Sequence, residues 1–272
     1  IRRATKKLNF EHPIFWTFLH QTADLIGELN ESVRIYHCVD DWPVLLHMAN
    51  MGKSDRIRED EKKLTSSVDI IFRVSTKLLG YLKMPNTRVF DIPNGVDIDL
   101  FNPKQYAEKY QKDDMKDLPR PIIGFSGSIG KWIDIELLIR IATFYRNASI
   151  VLIGLNEKNP AINKLHNLNN IYFLGMKLRE EVPQYICDFD VCLMPFNQSE
   201  IGKGMLPLKM FEYLALGKPI VATSSEVLKQ FEEVLYLADD QDSFLKHIEN
   251  AITDNNIEHS ELRRACALKY SW

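Results

Sequence analysis

Residues 207–223 read PLKMFEYLALGKPIVAT, and the order of apolar and breaking residues in this stretch decides the fold. Leu208, Phe211, Glu212, Ala215 and Leu216 fall on one face of a helix, and four of the five are apolar. Pro207 suits the first turn, where an amide would lack an intrahelical partner, and Gly217 followed by Lys218-Pro219 stops the helix. A short apolar strand, PIVAT, follows directly. A helix delivered straight into a buried strand is the repeating step of a parallel α/β sheet.

The same step recurs on both sides. Strand-like runs stand at VRIYHCV (33–39), DIIFRVS (69–75), RVFDIP (88–93), PIIGFSG (121–127), ASIVLIG (148–154), NIYFLG (170–175), DVCLMPF (190–196), KPIVATS (218–224) and VLYLA (234–238). Between or after them, IREDEKKLTSSV (57–68), IELLIRIATFYR (135–146) and SFLKHIENAIT (243–253) have helical periodicity. The texture changes once, in the polar stretch that opens at Asn102 and closes with Pro119 and Pro121. This predicts an α/β protein of two domains, 1–101 and 121–272, joined by a linker at 102–120. Three candidate strands precede the linker and six follow it, so the first domain reads as incomplete at its start.

Composition narrows the function classes. With 45% hydrophobic and 26% charged residues and a formal net charge of −3, the chain is globular and not a general nucleic-acid binder. Arg2, Arg3, Lys6 and Lys7 cluster at the start, as a solvated helix end or as a contact for an anionic membrane surface. Cys38, Cys187, Cys192 and Cys266 lack Cys-x2-Cys spacing, which predicts free thiols in a reducing, cytoplasmic setting. Residue 1 is not Met, and the opening reads as an interior position of a longer protein.

Glu212 is the exception in its stripe. A carboxylate there costs several kcal/mol unless it is hydrogen-bonded, so a partner is expected: a lysine across the domain surface, or the hydroxyls of a ligand. The preceding GKGML (202–206) and the helix start bring backbone amides close to any anion, with Lys203 and Lys209 flanking it. The ribose diol of a nucleotide would then reach Glu212 one turn deeper. A second phosphate-facing turn, GFSGSIGKWIDIELL (124–138), holds three glycines, Lys131 and a helix capped by Asp134. Its spacing fits neither a dinucleotide fingerprint nor a P-loop, because Trp132 follows the lysine.

Three ordered motifs carry a resemblance. IPNGVDIDLF (92–101), LGMKLREEVPQYICDFDVCLMPF (174–196) and PLKMFEYLALGKPIVAT (207–223) are similar to the family 4 retaining glycosyltransferases. YHCVDDW (36–42) resembles the bacterial branch that builds teichuronic-acid-like surface polysaccharides. The resemblance implies two Rossmann-like domains facing a cleft, the GT-B arrangement, truncated here at both ends. It implies a UDP- or GDP-linked nucleotide-sugar donor, a glycan or lipid-linked acceptor, retention of configuration, no cofactor and no metal. Glu212 matches the family's ribose-binding glutamate, Gly130 and Lys131 the diphosphate loop, and Met176 and Lys177 the stretch whose backbone meets the base. Gly204, Leu206, Pro207 and Leu208 match the segment that cradles the phosphates. Gly204 stands where the family has its first acid, and the FSGSIG loop lacks the family's arginine. Glu200 and Lys203 are expected to substitute for those contacts.

Departure of the leaving group puts charge on the diphosphate, so Lys131 and Lys209 are the expected catalytic cations. Asp40 and Asp41 end a strand, where one could meet the acceptor or cap the next helix, and Asp41 is the third catalytic candidate. His37 reads as a satisfied core histidine, REDEKKL (58–64) as a solvated face, and Phe15, Trp16, Phe18 and Leu19 as core. The alternatives are a non-catalytic nucleotide-sugar-binding subunit, an inactive fragment, or an epimerase on the same fold.

Overall fold

The computed structural model describes residues 1–44, 54–80, 82, 87–106, 112–156, 160–197, 206–254 and 256–272. The chain divides into two compact units, 1–93 and 94–272, so the break precedes the one predicted at residue 101. The reason is local pairing. Val96 bridges Ser271 and exchanges backbone hydrogen bonds with Tyr270 and Trp272, while Phe101 and Met115 are buried in the core of the second unit.

The first unit is a four-stranded parallel sheet in the order β1 (Ile14–Thr17), β2 (Val33–Cys38), β3 (Ile70–Arg73), β4 (Arg88–Asp91). It also holds helices α1 (Arg2–Lys7) and α2 (Ser54–Ser67). Strand β1 was not predicted, because its four residues follow Pro13 and alternate only weakly. Leu64 of α2 packs with Tyr36, Cys38 and Ile71.

Two expectations fail in this unit, and a third, the solvated charge run, holds at Arg58, Glu59, Lys62 and Lys63 but not at Glu61. Glu61, in the charge run of α2, is buried and accepts a hydrogen bond from the Tyr36 hydroxyl at 2.8 Å. His37 is not satisfied: both ring nitrogens are buried without hydrogen-bond partners among the described residues. It packs instead between Phe18 and Phe72, with centroids 5.0 and 5.9 Å away. Trp16 and Phe18 are 52% and 46% exposed, not core, because they lie on the sheet face opposite the Tyr36–Leu64 core.

The second unit has six parallel strands in the order β7-β6-β5-β8-β9-β10, from β5 (Ile122–Ser126), β6 (Ser149–Ile153), β7 (Ile171–Gly175), β8 (Val191–Met194), β9 (Ile220–Thr223) and β10 (Tyr236–Ala238). Its helices are α3 (Ile135–Phe144), α4 (Val182–Cys187), α5 (Leu208–Ala215), α6 (Gln241–Thr253) and α7 (Ile257–Leu268). This is the doubly wound order, and it reverses direction between β5 and β8. Strands β5, β6 and β8 are buried at every residue, which is why they read as continuous apolar runs.

Short α4 carries Pro183, and α7, IEHSELRRACAL, buries little beyond Arg263 and Ala267. Neither was predicted. Among the described residues no helix is long and apolar enough to cross a membrane, and the four cysteines are free.

Candidate functional site

The crevice at the switch point of an open α/β sheet lies beyond the carboxyl ends of its central strands, here Ser126 and Met194. The loops leaving those two ends are stitched together. The Asp134 amide donates to the Pro195 carbonyl at 2.8 Å, and the Asn197 amide to the Trp132 carbonyl at 2.9 Å. Asn197 Nδ2 donates to the carbonyl of Lys131 at 2.5 Å, and Ile133 bridges Phe196. Asp134 caps α3 as predicted, its Oδ1 accepting from the Leu137 amide at 2.9 Å. The loop that carries Gly130 and Lys131 is therefore fixed on both sides. Gly130 is buried beneath the Trp132 ring, and Lys131 is exposed at the loop's rim.

Helix α5 enters this crevice from the β8 side. Pro207 is the N-cap, with ψ 136°, so the helix starts at Leu208 and the proline stands just outside the first turn. A proline cap offers no side-chain oxygen, and the first amides of the helix have no side-chain cap. The buried side is Met210, Phe211, Tyr213, Leu214 and Ala215. Leu208, predicted on the buried stripe, is exposed, because the first turn projects past the strands.

Two hydrogen bonds place the helix start. Asn94 Nδ2 donates to the Leu206 carbonyl at 2.8 Å, and the Ser126 amide, the last of β5, donates to the buried Tyr213 hydroxyl at 2.7 Å. At the far end the Gly217 amide reaches the Leu214 carbonyl and the Lys218 amide the Tyr213 carbonyl. That pair closes the helix in a Schellman motif.

The central feature is the Lys209 ammonium. It lies 4.2 Å from the Phe125 ring centroid and 5.5 Å from that of Phe196, so rings from the two central strand ends hold it by cation–π attraction. Below it is Gly127 at φ +139°, where an added Cβ would collide with Nζ. Gly154 at φ +138° packs in turn against the Gly127 carbonyl. Only glycine adopts this backbone without strain, and only glycine lets the amine settle on the loop.

Among the described residues the ammonium makes no ion pair. Burial pushes its pKa down to about 8, and Glu212 only partly opposes this. Glu212, one turn on, is half-buried, and among the described residues no hydrogen bond to its carboxylate is present. Burial raises its pKa, while Arg179 and Lys209 pull it down. An acid and a base, both desolvated and both short of partners, share one mouth. The arrangement suits a ligand that brings an anion to the lysine and hydroxyl donors to the glutamate.

The other predicted residues scatter more. Leu206 and Pro207 are buried beside the helix start. Met176 is 70% exposed beyond β7, next to Lys177, whose amine pairs with Asp114 at 2.7 Å. Glu200, Lys203 and Gly204 lie outside the described residues. Asp41 belongs to the first unit, where its Oδ1 accepts from the Val44 amide at 3.2 Å, the geometry of a helix cap. Its neighbour Asp40 is pushed up to about 6 by burial and by the Asp41 charge.

Sequence reasoning missed Arg179, Asn94 and the two phenylalanines. Asn94 stood inside a quoted motif and Arg179 three residues beyond Met176, but no local pattern marks either one.

Comparison with known proteins bears on the family and the fold. Residues 120–254 match the family model described as Glycosyl transferases group 1. The chain is 26% identical over 257 residues to TuaH of Bacillus subtilis (strain 168), assigned to teichuronic acid biosynthesis as a glycosyltransferase. The match covers 88% of this chain and 63% of that protein, so the chain spans less than two thirds of its curated relative. Among solved structures, Anabaena Alr3699/HepE in complex with UDP superposes with a TM-score of 0.77 at 15% identity, over 99% of this chain and 77% of that one. Sucrose-phosphate synthase from Thermosynechococcus elongatus gives 0.78 at 17% identity, over 100% and 73%. The two parallel-sheet α/β domains have the fold of GT-B glycosyltransferases.

Proposed function

We propose that this chain, whose residues 120–254 match the model described as Glycosyl transferases group 1, moves a sugar from a nucleoside-diphosphate donor to a glycan or lipid-linked acceptor with retention. The observation that carries it is the desolvated Lys209 ammonium seated on the Gly127 loop, one helical turn from the desolvated Glu212 carboxylate. The diphosphate lies against Lys209, Lys131 and the uncapped amides of α5, and the ribose diol donates to Glu212. The base rests on the backbone of Met176 and Lys177. UDP is the first nucleotide to test, since HepE has been solved with UDP and with UDP-glucose.

The bond from the anomeric carbon to the diphosphate oxygen breaks, and its electron pair leaves with the nucleotide. Negative charge grows on the β-phosphate as it departs, so the two lysines and the helix amides hold the transition state more strongly than the bound donor. The acceptor oxygen attacks from the same face and passes its proton to a β-phosphate oxygen. No side chain forms a covalent intermediate, and no metal is assigned a step. In the first unit the Asp40–Asp41 turn is assigned to the acceptor, Asp41 fixing the turn through its cap. A lipid-linked acceptor would bring the chain to the inner face of a membrane.

The test is nucleotide release by the full chain from a panel of UDP- and GDP-sugars, with glycan and lipid-linked acceptors. Acceptor-dependent release from one donor, with an anomer of unchanged configuration by NMR, is expected. Nucleotide binding without release from any donor would overturn the transfer step and leave a nucleotide-sugar-binding subunit.

A further inference from the structure

The turn after β7 is anchored by its side chains and open along its backbone. Gly175, at φ +68°, swings the chain outward at the carboxyl edge of the sheet. Lys177 then points back rather than into the crevice. Its Nζ donates to Asp114 Oδ2 at 2.7 Å and lies 4.8 Å from the Tyr185 ring centroid, with its side chain only 16% exposed. The Tyr185 hydroxyl donates to the same Oδ2 at 3.0 Å. At the other end of the turn, Glu181 accepts from the Leu178 amide at 3.3 Å and from Lys112 Nζ at 3.2 Å.

Both anchors come from residues 112–114, inside the stretch whose composition reads as a linker. By contrast, among the described residues neither Met176 nor Lys177 makes a backbone-to-backbone hydrogen bond. Their amide and carbonyl groups are open, while their flanks are held.

We infer that Asp114 is a positioning residue for the nucleoside base, fixing the Met176–Lys177 backbone through Lys177 and Tyr185. The inference rests on the donor site proposed above. Ion pairs at a partly exposed surface contribute little to stability, so a network of this extent on a six-residue turn matters through geometry. Peptide groups can read the edge of a planar base only if the turn holds one conformation when the base arrives. Asp114 supplies that order without touching the ligand.

Calorimetric titration of the full chain with UDP and with inorganic pyrophosphate tests this. Pyrophosphate occupies the lysines and helix amides alone, so it reports the phosphate site without the base. Asp114→Ala should weaken UDP about tenfold and leave pyrophosphate within about twofold, with the preference for UDP over GDP reduced. Lys177→Met breaks the same link from the other side and should reproduce the pattern, which keeps the test intact if the first variant folds poorly. Equal losses for UDP and pyrophosphate, or unchanged UDP affinity in a folded variant, would overturn the role of Asp114. Wild-type protein that binds neither ligand would overturn the donor site itself.

Discussion

Replacing Lys209 with methionine should weaken nucleotide binding and remove its dependence on pH. Methionine fills the slot between Phe125 and Phe196 and carries no charge, so packing changes little. Burial sets the pKa of the free amine at about 8, and a bound diphosphate restores the charged form. Between pH 7 and pH 9 the protonated fraction of the free protein falls from about 0.9 to about 0.1, so affinity should drop about tenfold, or about 1.4 kcal/mol. At pH 7 the variant loses a charge-assisted contact of about 1.5–3 kcal/mol, which is about ten- to a hundredfold in Kd.

Isothermal titration with UDP, in two buffers of different ionisation enthalpy, reads both effects. The wild type should take up about half a proton per UDP at pH 8, and the variant none beyond the ligand's own titration. The sign for folding is separate. The folded pKa lies below the ordinary 10.5, so the unfolded chain binds more protons between about pH 8 and pH 10.5, and the destabilisation by Lys209 is relieved as pH rises through that window. Equal pH dependence of UDP affinity in the wild type and the variant would refute the placement of the amine against the phosphates.

Glu212→Ala should cost UDP about 1–3 kcal/mol while pyrophosphate binds as before, because only the ribose is lost; an equal loss for pyrophosphate would contradict that division. Tyr213→Phe leaves the Ser126 amide buried without its partner and should lower stability to denaturant by about 1–3 kcal/mol. A midpoint unchanged from wild type would show that the helix does not depend on that bond. Glu61→Ala strands the fully buried Tyr36 hydroxyl in the same way, and the loss, again about 1–3 kcal/mol, should appear in near-UV circular dichroism of the first unit.

The central strands of the second unit were legible because burial on both faces leaves little room for polar residues: VCLM is apolar throughout, and IIGFS carries only the buried Ser126 at its end. Strand β1 was not, since its residues Ile14 and Trp16 face outward and lie on an exposed sheet face. Glu212 could be found as the polar member of an apolar stripe, and the glycines of the β5 loop by their density. What the sequence does not encode locally is who meets whom. Lys209 finds Phe125 and Phe196 only through the β5–β8 pairing, Asn94 holds Leu206 across more than a hundred residues of chain, and Asp114 joins Lys177 from a stretch that looks like a tether. For Asp41, which the sequence reads either as a ligand or as a helix cap, the structure adds the hydrogen bond that its carboxylate accepts from the Val44 amide.

Cocrystallisation of the full chain with UDP bears most directly on the donor site. The diphosphate should lie within hydrogen-bonding reach of Lys209 Nζ and the α5 amides, with both ribose hydroxyls on Glu212 and the uracil against the Met176–Lys177 backbone. UDP bound elsewhere on the second unit, or a Glu212 carboxylate that stays clear of the ribose in the complex, would contradict the assignment.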